Sequence, residues 1–299
     1  MAIQTEIWVK AIIEGLFADN TFAGQSIDHS MFVNNRTVHV PNAGSPPNIE
    51  KNRTTKPAAV TERQDIDLHY DIDEYTSDPI VVPEADKVEL SFNKRESVIS
   101  TSRRKLHDVI YGAMIYNWIP AGVTVVKTDG AAVPSHLPAA TGNRKAMTRK
   151  TVEKLQTLFD SQDIPLDGRN ILLDAQMYNE LMNDMTDAQK VAFIAGADPA
   201  KGTIGEFLGF HFYKRSRVAK ADNSGTPKPW SAVGAATDNA AGLAWHADCV
   251  SRALGNAKVF YNEDDATWYG DIISVLQRAG GSAIRSDKAG VALIMQDAA

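Results

Sequence analysis

The chain has 299 residues, 43% apolar and 23% charged, which fits one large globular domain or two modest ones. At that size roughly three quarters of the unfolded chain's surface can be buried, so a real core is within reach. The net charge of -6 argues against a sequence-independent grip on DNA, the lone Cys249 excludes an intrachain disulfide and a thiolate-rich zinc site, and no run of 18 apolar residues exists to span a membrane.

In chain order, Ile3, Ile7 and Ala11, with Trp8, Ile12 and Leu16, recur at helical spacing and predict a short helix that docks on something else. The stretch is apolar but lacks a basic leading region, and Glu6, Lys10 and Glu14 interrupt it, so it does not read as a signal peptide. Asp19 to Asn35 is a polar connector, and Arg36 to Val40 a short strand. Pro41 to Glu62 holds four prolines and no periodicity. Structureless loops beyond about 12–15 residues are uncommon in compact domains and are usually functional. Asp65 to Asp73 then alternates strictly, with Ile66, Leu68, Tyr70 and Ile72 on one face and Asp65, Asp67, His69, Asp71 and Asp73 on the other. Lys94 to Ile119 reads as one helix of about 39 Å, with Ile99, Leu106, Ile110, Ala113 and Asn117 near one stripe and Pro120 and Gly122 as the stop.

From Thr148 onward the pattern turns α/β. Helices are expected at Thr148 to Asp160, at Asp174 to Met185 with Asp174 as cap, and after Thr186. Asn170 to Leu173 is a short buried strand, and Thr203 to Val218 gives two strands around Gly209. Ala219 to Ala240 reads as loop, Gly242 to His246 as strand and Ala247 to Leu254 as a short helix. Trp268 to Arg285 is extended but broken at Gly280 and Gly281, and Val291 to Met295 is a last strand.

Chemistry is sparse. Alternate carboxylates on the Asp65 to Asp73 strand sit roughly 6–7 Å apart, too wide to share one calcium unaided. Gly202, Gly205 and Gly209 resemble a phosphate loop, but a strand follows where the fingerprint needs a helix. The seven histidines show no helical zinc spacing, and there is no Ser-centred elbow. Neither a catalytic residue nor a cofactor or metal site is expected. Charge is more informative. Lys51, Arg53, Lys56 and Arg63 make the long loop basic, while Asp65, Asp67, Asp71 and Asp73 make its returning strand acidic. Arg103, Arg104 and Lys105 form a second basic cluster on the long helix, a solvated face or an inter-subunit contact. If arms of neighbouring copies overlap, basic tips could meet acidic strands and set register.

The order of N-terminal arm, extended loop, long helix, α/β region and late strand pair resembles the major capsid proteins of tailed bacteriophages, with the Hong Kong 97 type fold. Arg36 to Phe92 matches that family's extended loop in position, and Lys94 to Ile119 its spine helix. "RNILLDAQMYNELMND" (Arg169 to Asp184) resembles its fixed strand and following helix, and "GTIGEFLGFHFYKRSRV" (Gly202 to Val218) its next hairpin. "GLAWHADCVSRALG" (Gly242 to Gly255) and Tyr269 to Met295 resemble its closing strands.

The resemblance implies an α+β fold with an N-terminal arm (1–35), an extended β-hairpin loop (36–93), a peripheral domain (94–147 and 265–299, spine helix 94–119) and an axial domain (148–264). It implies a non-enzymatic subunit whose hexamers and pentamers tile an icosahedral head around double-stranded DNA, assembled in the host cytoplasm. Portal and scaffolding proteins would be partners, DNA contact would be non-specific, and no membrane is involved. No long charged helical region precedes the chain, so a fused scaffold is not expected. Inter-subunit contact candidates are Trp8, Ile12, Lys51, Arg53, Lys56, Arg63, Asp65, Asp67, Asp71, Asp73, Arg103 and Arg104. Two alternatives stand beside this reading: another virion component of tail or decoration type, and an α/β enzyme centred on Asp71, Asp73 and His69.

Overall fold

The computed structural model describes residues 21–32, 36–44, 46–54, 56–57, 60, 62–84, 93–198 and 202–299. A 3-10 turn at Thr21–Gly24 leads to β1 (Ile27–Asp28), a second turn at Ser30–Phe32 and β2 (Thr37–Asn42). β3 (Ile66–Asp71), β4 (Asp73–Thr76) and β5 (Ile80–Pro83) precede the long helix α1 (Asn93–Asn117). β6 (Thr124–Lys127), β7 (Ala132–Pro134) and β8 (Asn143–Lys145) follow, then α2 (Arg149–Ser161), β9 (Arg169–Asp174), α3 (Ala175–Asp184) and α4 (Asp187–Ala195). The remaining strands are β10 (Gly205–Phe207), β11 (Phe210–Arg215), β12 (Ala219–Ala221), β13 (Pro227–Lys228), β14 (Asn239–His246), β15 (Val250–Asp265), β16 (Gly270–Ala283) and β17 (Val291–Met295).

Two sheets organise these elements. In the eight-stranded sheet β9 lies between β11, parallel to it, and β14, antiparallel. One edge of β14 is shared by β9 and β12, and the other pairs with β17, which pairs in turn with β6. β9 and β14 are buried at every position: their middles are apolar or small on both faces, while Arg169, Asn170, Asp174, Asn239 and His246 are buried polar side chains at their ends. The five-stranded sheet is dominated by the antiparallel pair β15–β16, with β1 on the outer edge of β15 and β4 and β5 sharing that of β16. β2 and β3 form a separate hairpin.

Local chemistry sets the helix starts. Asp174 accepts a hydrogen bond from the Met177 amide at 2.7 Å, and Thr186 with Gln189 forms a capping box at α4. α1 runs for 25 residues, about 38 Å. Its middle buries Leu106 and Ile110 against Val82, Val259, Ile273 and Val275 of the five-stranded sheet. Its end buries Tyr111, Met114, Ile115 and Trp118 in the main core with Trp245 and Phe22. The single stripe expected from the sequence thus widens toward the C-terminus, where the helix enters the space beside both sheets.

Three expectations are corrected. Ala247 to Leu254 is a 3-10 turn at Ala247–Cys249 followed by the start of β15, not a helix. Sheet membership does not follow the expected boundaries at 148–264 and 265–299: β15 belongs with the five-stranded sheet, while β17 and β6 join the eight-stranded one. Nor do Gly280 and Gly281 break the last long strand, because β16 runs through both. Successive residues face opposite sides of a sheet. A Cβ on Gly280 would stand 2.9 Å from the Asp71 carbonyl oxygen, and one on Gly281 would stand 3.0 Å from Trp118 Nε1. The glycines admit the hairpin root on one face and the helix end on the other. Gly280→Val is therefore expected to loosen the β2–β3 root while leaving the main core folded. Hydrogen exchange should show lost protection in 37–42 and 66–71 only; unchanged protection there would refute the close-approach argument.

Candidate assembly surfaces

The β2–β3 hairpin is anchored by apolar packing at its root, and at the far end of β2 the Asn42 side-chain amide donates to the Ile284 carbonyl at 2.8 Å. Val38, Tyr70 and Ile72 pack with Ala253 and are almost fully buried, and the Ile72 amide donates to the Arg36 carbonyl at 2.7 Å. Farther out on the same face Ile66 is 53% exposed, and in the connecting loop Ile49 and Val60 are 90% and 98% exposed. The alternation expected for Asp65 to Asp73 is present, but its apolar face is covered only where it meets β15 and β16.

The charged candidates are partly satisfied within the chain. The Arg63 guanidinium contacts Asp65 at 2.6 Å, and Asp65 also accepts from the Gly44 amide. Arg63's hydrogen bond, followed by that amide, holds the Asp65 carboxyl below the usual carboxylate range. Arg63 and Asp65 therefore meet each other, which narrows the charges left for a neighbour. Arg53 lies 3.4 Å from Glu50, Asp67 lies 2.8 Å from His39, and Asp71 accepts from the Thr37 hydroxyl at 2.8 Å. Lys51 and Lys56 are exposed in the loop, and Asp73 is exposed at the start of β4. Arg104 is exposed on α1 beside Lys105; the side chain of Arg103 and the residues Trp8 and Ile12 lie outside the described structure.

Of the three residues of the enzyme alternative, Asp71 and Asp73 line one open cleft near the end of α1, and His69 is not in its lining. His69 lies tilted against His39, ring centroids 5.9 Å apart, while Asp71 is engaged by Thr37 and Asp73 begins a different ladder on β16. Among the described residues no group of three or more His, Cys, Asp or Glu could hold a metal. Cys249 is buried, and burial pushes its thiol up to about 11.

Sequence reading missed three features. The first is a buried polar network: His136 Nε2 meets Asp174 at 2.8 Å, and Glu180 accepts from the Met147 amide and the Gln296 side chain. Burial opposes the His136 charge, but the Asp174 hydrogen bond and charge carry its pKa above the ordinary imidazole value. Burial raises that of Glu180. This network ties the 128–147 segment to α3 and β17; its members are so far apart in the chain that no local pattern could reveal them. The second is the aromatic tip of the β15–β16 hairpin, where Trp268 and Tyr269 are 60% and 79% exposed. The third is Trp230, which lies on α1 at Gly112, where a Cβ would stand 2.3 Å from the indole ring.

A short-range clamp near the C-terminal end bears on pH. Asp297 bridges Lys145 and Lys127, each at 3.0 Å, and these hydrogen bonds, Lys145's first, hold its carboxyl below the ordinary value. A depressed carboxyl contributes stability that is fully present above its unfolded value near about 3.9 and is lost as pH falls through the folded value. Asp297→Asn should thus lower Tm at neutral pH, and the gap to the parent should close on acidification; a gap independent of pH would refute the charge clamp.

Neither a protein-family model nor a curated protein sequence matches the chain. Solved structures do. A chain from the capsid of Ralstonia phage GP4 aligns with a TM-score of 0.63 at 13% identity, over 92% of this chain and 87% of that one. The capsid of cyanophage P-SCSP1u gives 0.60 at 15% identity over 92% and 87%. A virus-like particle from Pyrococcus furiosus gives 0.60 at 8% identity over 97% and 99%. The fold is α+β and of the Hong Kong 97 type.

Proposed function

We propose that the chain is a major capsid protein, many copies of which tile the icosahedral head of a tailed phage as hexamers and pentamers around double-stranded DNA. The observation that carries this reading is the fold, shared over nine-tenths of the chain with phage capsid subunits. The surface agrees with it. A hairpin with exposed apolar residues along its length and a second hairpin tipped by Trp268 and Tyr269 are surfaces that neighbours would cover. A specific interface buries about 1,200–2,000 Å² in total, which exposed hairpins of this kind can supply. The role is structural rather than catalytic. The five-stranded sheet with α1 forms the peripheral unit and the eight-stranded sheet with α2 to α4 the axial one. Assembly takes place in the host cytoplasm with portal and scaffolding proteins, and contact with the genome is non-specific, in keeping with the net charge of -6. Sedimentation and negative-stain imaging of the expressed chain test this. Closed shells of uniform diameter are expected. Tubes, rings or spikes would favour a tail or decoration role, and a strict monomer with its phage partners present would overturn the proposal.

A further inference from the structure

A cleft of about 640 Å³ opens between α1 and the loop that leads into β14. Trp230 in that loop sits on α1 at Gly112, and Lys105, Val109 and Tyr116 line the cleft along the same helix. Leu137, Val218 and Ala232 extend a wall that is mainly apolar. Clefts of about 300–1,000 Å³ with apolar walls and a few convergent polar groups are the common form of a small-molecule site.

Charge in this cleft is one-sided. Its two carboxylates, Asp174 and Asp238, are only 5% and 1% exposed and already paired, with His136 at 2.8 Å and Lys228 at 2.5 Å. Lys220 is engaged as well, donating to the Ala232 carbonyl. Lys105 and Arg217 differ: both are exposed, and neither pairs with a carboxylate among the described residues. The Arg217 guanidinium lies over the Trp230 ring, 5.5 Å from its centroid, a contact that orients it without cancelling its charge. Arg215 shares that ring at 5.1 Å, but Asp108 meets its charge at 3.0 Å.

We propose that this cleft binds a small organic anion with an apolar body, its rings or chain against Val109, Leu137 and Trp230 and its carboxylate or sulfonate at Lys105 and Arg217. A neutral molecule would cover the wall but leave both cations unpaired, and a cation would be repelled by them. A nucleic-acid backbone would meet the cations but leave the apolar wall uncovered. The site lies beyond the shell reading and needs no second copy of the chain.

The test titrates the free, full-length subunit with anilinonaphthalene sulfonate and with phenylnaphthylamine, which has the same rings and no sulfonate, reading dye fluorescence. One sulfonate per subunit is expected, held about tenfold or more tighter than the neutral amine, with the difference shrinking as salt screens the cations. Lys105→Glu with Arg217→Glu should weaken the sulfonate at least tenfold and leave the amine unchanged. Val109→Trp should weaken both dyes by filling the cleft. Arg104→Glu, next to Lys105 on α1 but outside the lining, should change neither, and each variant's unfolding midpoint controls for folding. Equal affinity for the two dyes would overturn the proposal. Sulfonate binding untouched by the double reversal, or weakened as much by Arg104→Glu, would overturn it too. A sulfonate site present in the free subunit and gone from assembled particles would overturn the small-molecule assignment and give the cleft to an acidic segment of a protein. The titration itself needs no particles, so failure of the chain to form shells would overturn the shell reading and not this site.

Discussion

Trp118→Ala is expected to cost about 3–5 kcal/mol, a drop in Tm on the order of 10 °C. The indole is fully buried at the end of α1 and touches three separate parts of the fold. Its ring centroid lies 5.6 Å from that of Trp245 on β14 and 6.0 Å, edge-on, from that of Phe22. Its Nε1 donates to the Ser251 carbonyl on β15 at 2.8 Å. Truncation would leave a cavity and strand that carbonyl in an apolar setting. Because the surrounding strands are held by their own ladders, the site can collapse only partly, which places the cost toward the upper part of the range for aromatic truncations. Trp118→Phe keeps most of the volume and loses mainly the hydrogen bond, so a smaller loss of about 1–2 kcal/mol is expected. Urea unfolding of both variants decides it: a change below about 1 kcal/mol for the alanine variant would show that α1 is not pinned to the two sheets at this point.

Replacing residues 43–65 by a two-residue Asn-Gly turn should abolish particle formation while leaving the subunit folded. Asn42 and Ile66 are cross-strand partners, so a tight turn can join them in register. Little that stabilises the monomer is removed. Ile49 and Val60 are exposed, and the ion pair Arg63–Asp65 is a surface one, of a kind that contributes about 0–1 kcal/mol. The root residues Val38, Tyr70 and Ile72 remain. A thermal midpoint within a few degrees of the parent, together with a sedimentation profile without large particles, is the expected outcome. Shells at the parental yield would remove the loop from the assembly argument. Collapse of the monomer would show instead that the loop belongs to the subunit's own core.

Much of the succession of elements was legible because each signal is local. The alternation of Ile66 to Ile72, the stop at Pro120, the caps at Asp174 and Thr186, and the turn at Gly209 depend on residues within a few positions of one another. Sheet membership was not legible. The pattern predicts a short helix where β15 begins and a last strand at β17, yet β15 is a long strand paired with β16, and β17 pairs with β14 and β6. Strand pairing is decided by which face another layer covers, and a one-dimensional pattern does not carry that. The same holds for Gly280 and Gly281. Inside a strand a glycine can mark a break or a close approach, and only the positions of Trp118 and Asp71 decide between them.

The assembly surface divides in the same way. The sequence alone determined that a long loop is basic, that its returning strand is acidic, and that no local catalytic motif is present. The tertiary structure decided which of those charges remain for a neighbour. It placed Arg63 against Asp65 and Asp67 against His39, and it laid Asp71 and Asp73 along a cleft at the end of α1. The physical reason is distance: charge is written residue by residue, but its partner is chosen by the folded chain, within a few ångströms in space and without regard to separation in sequence.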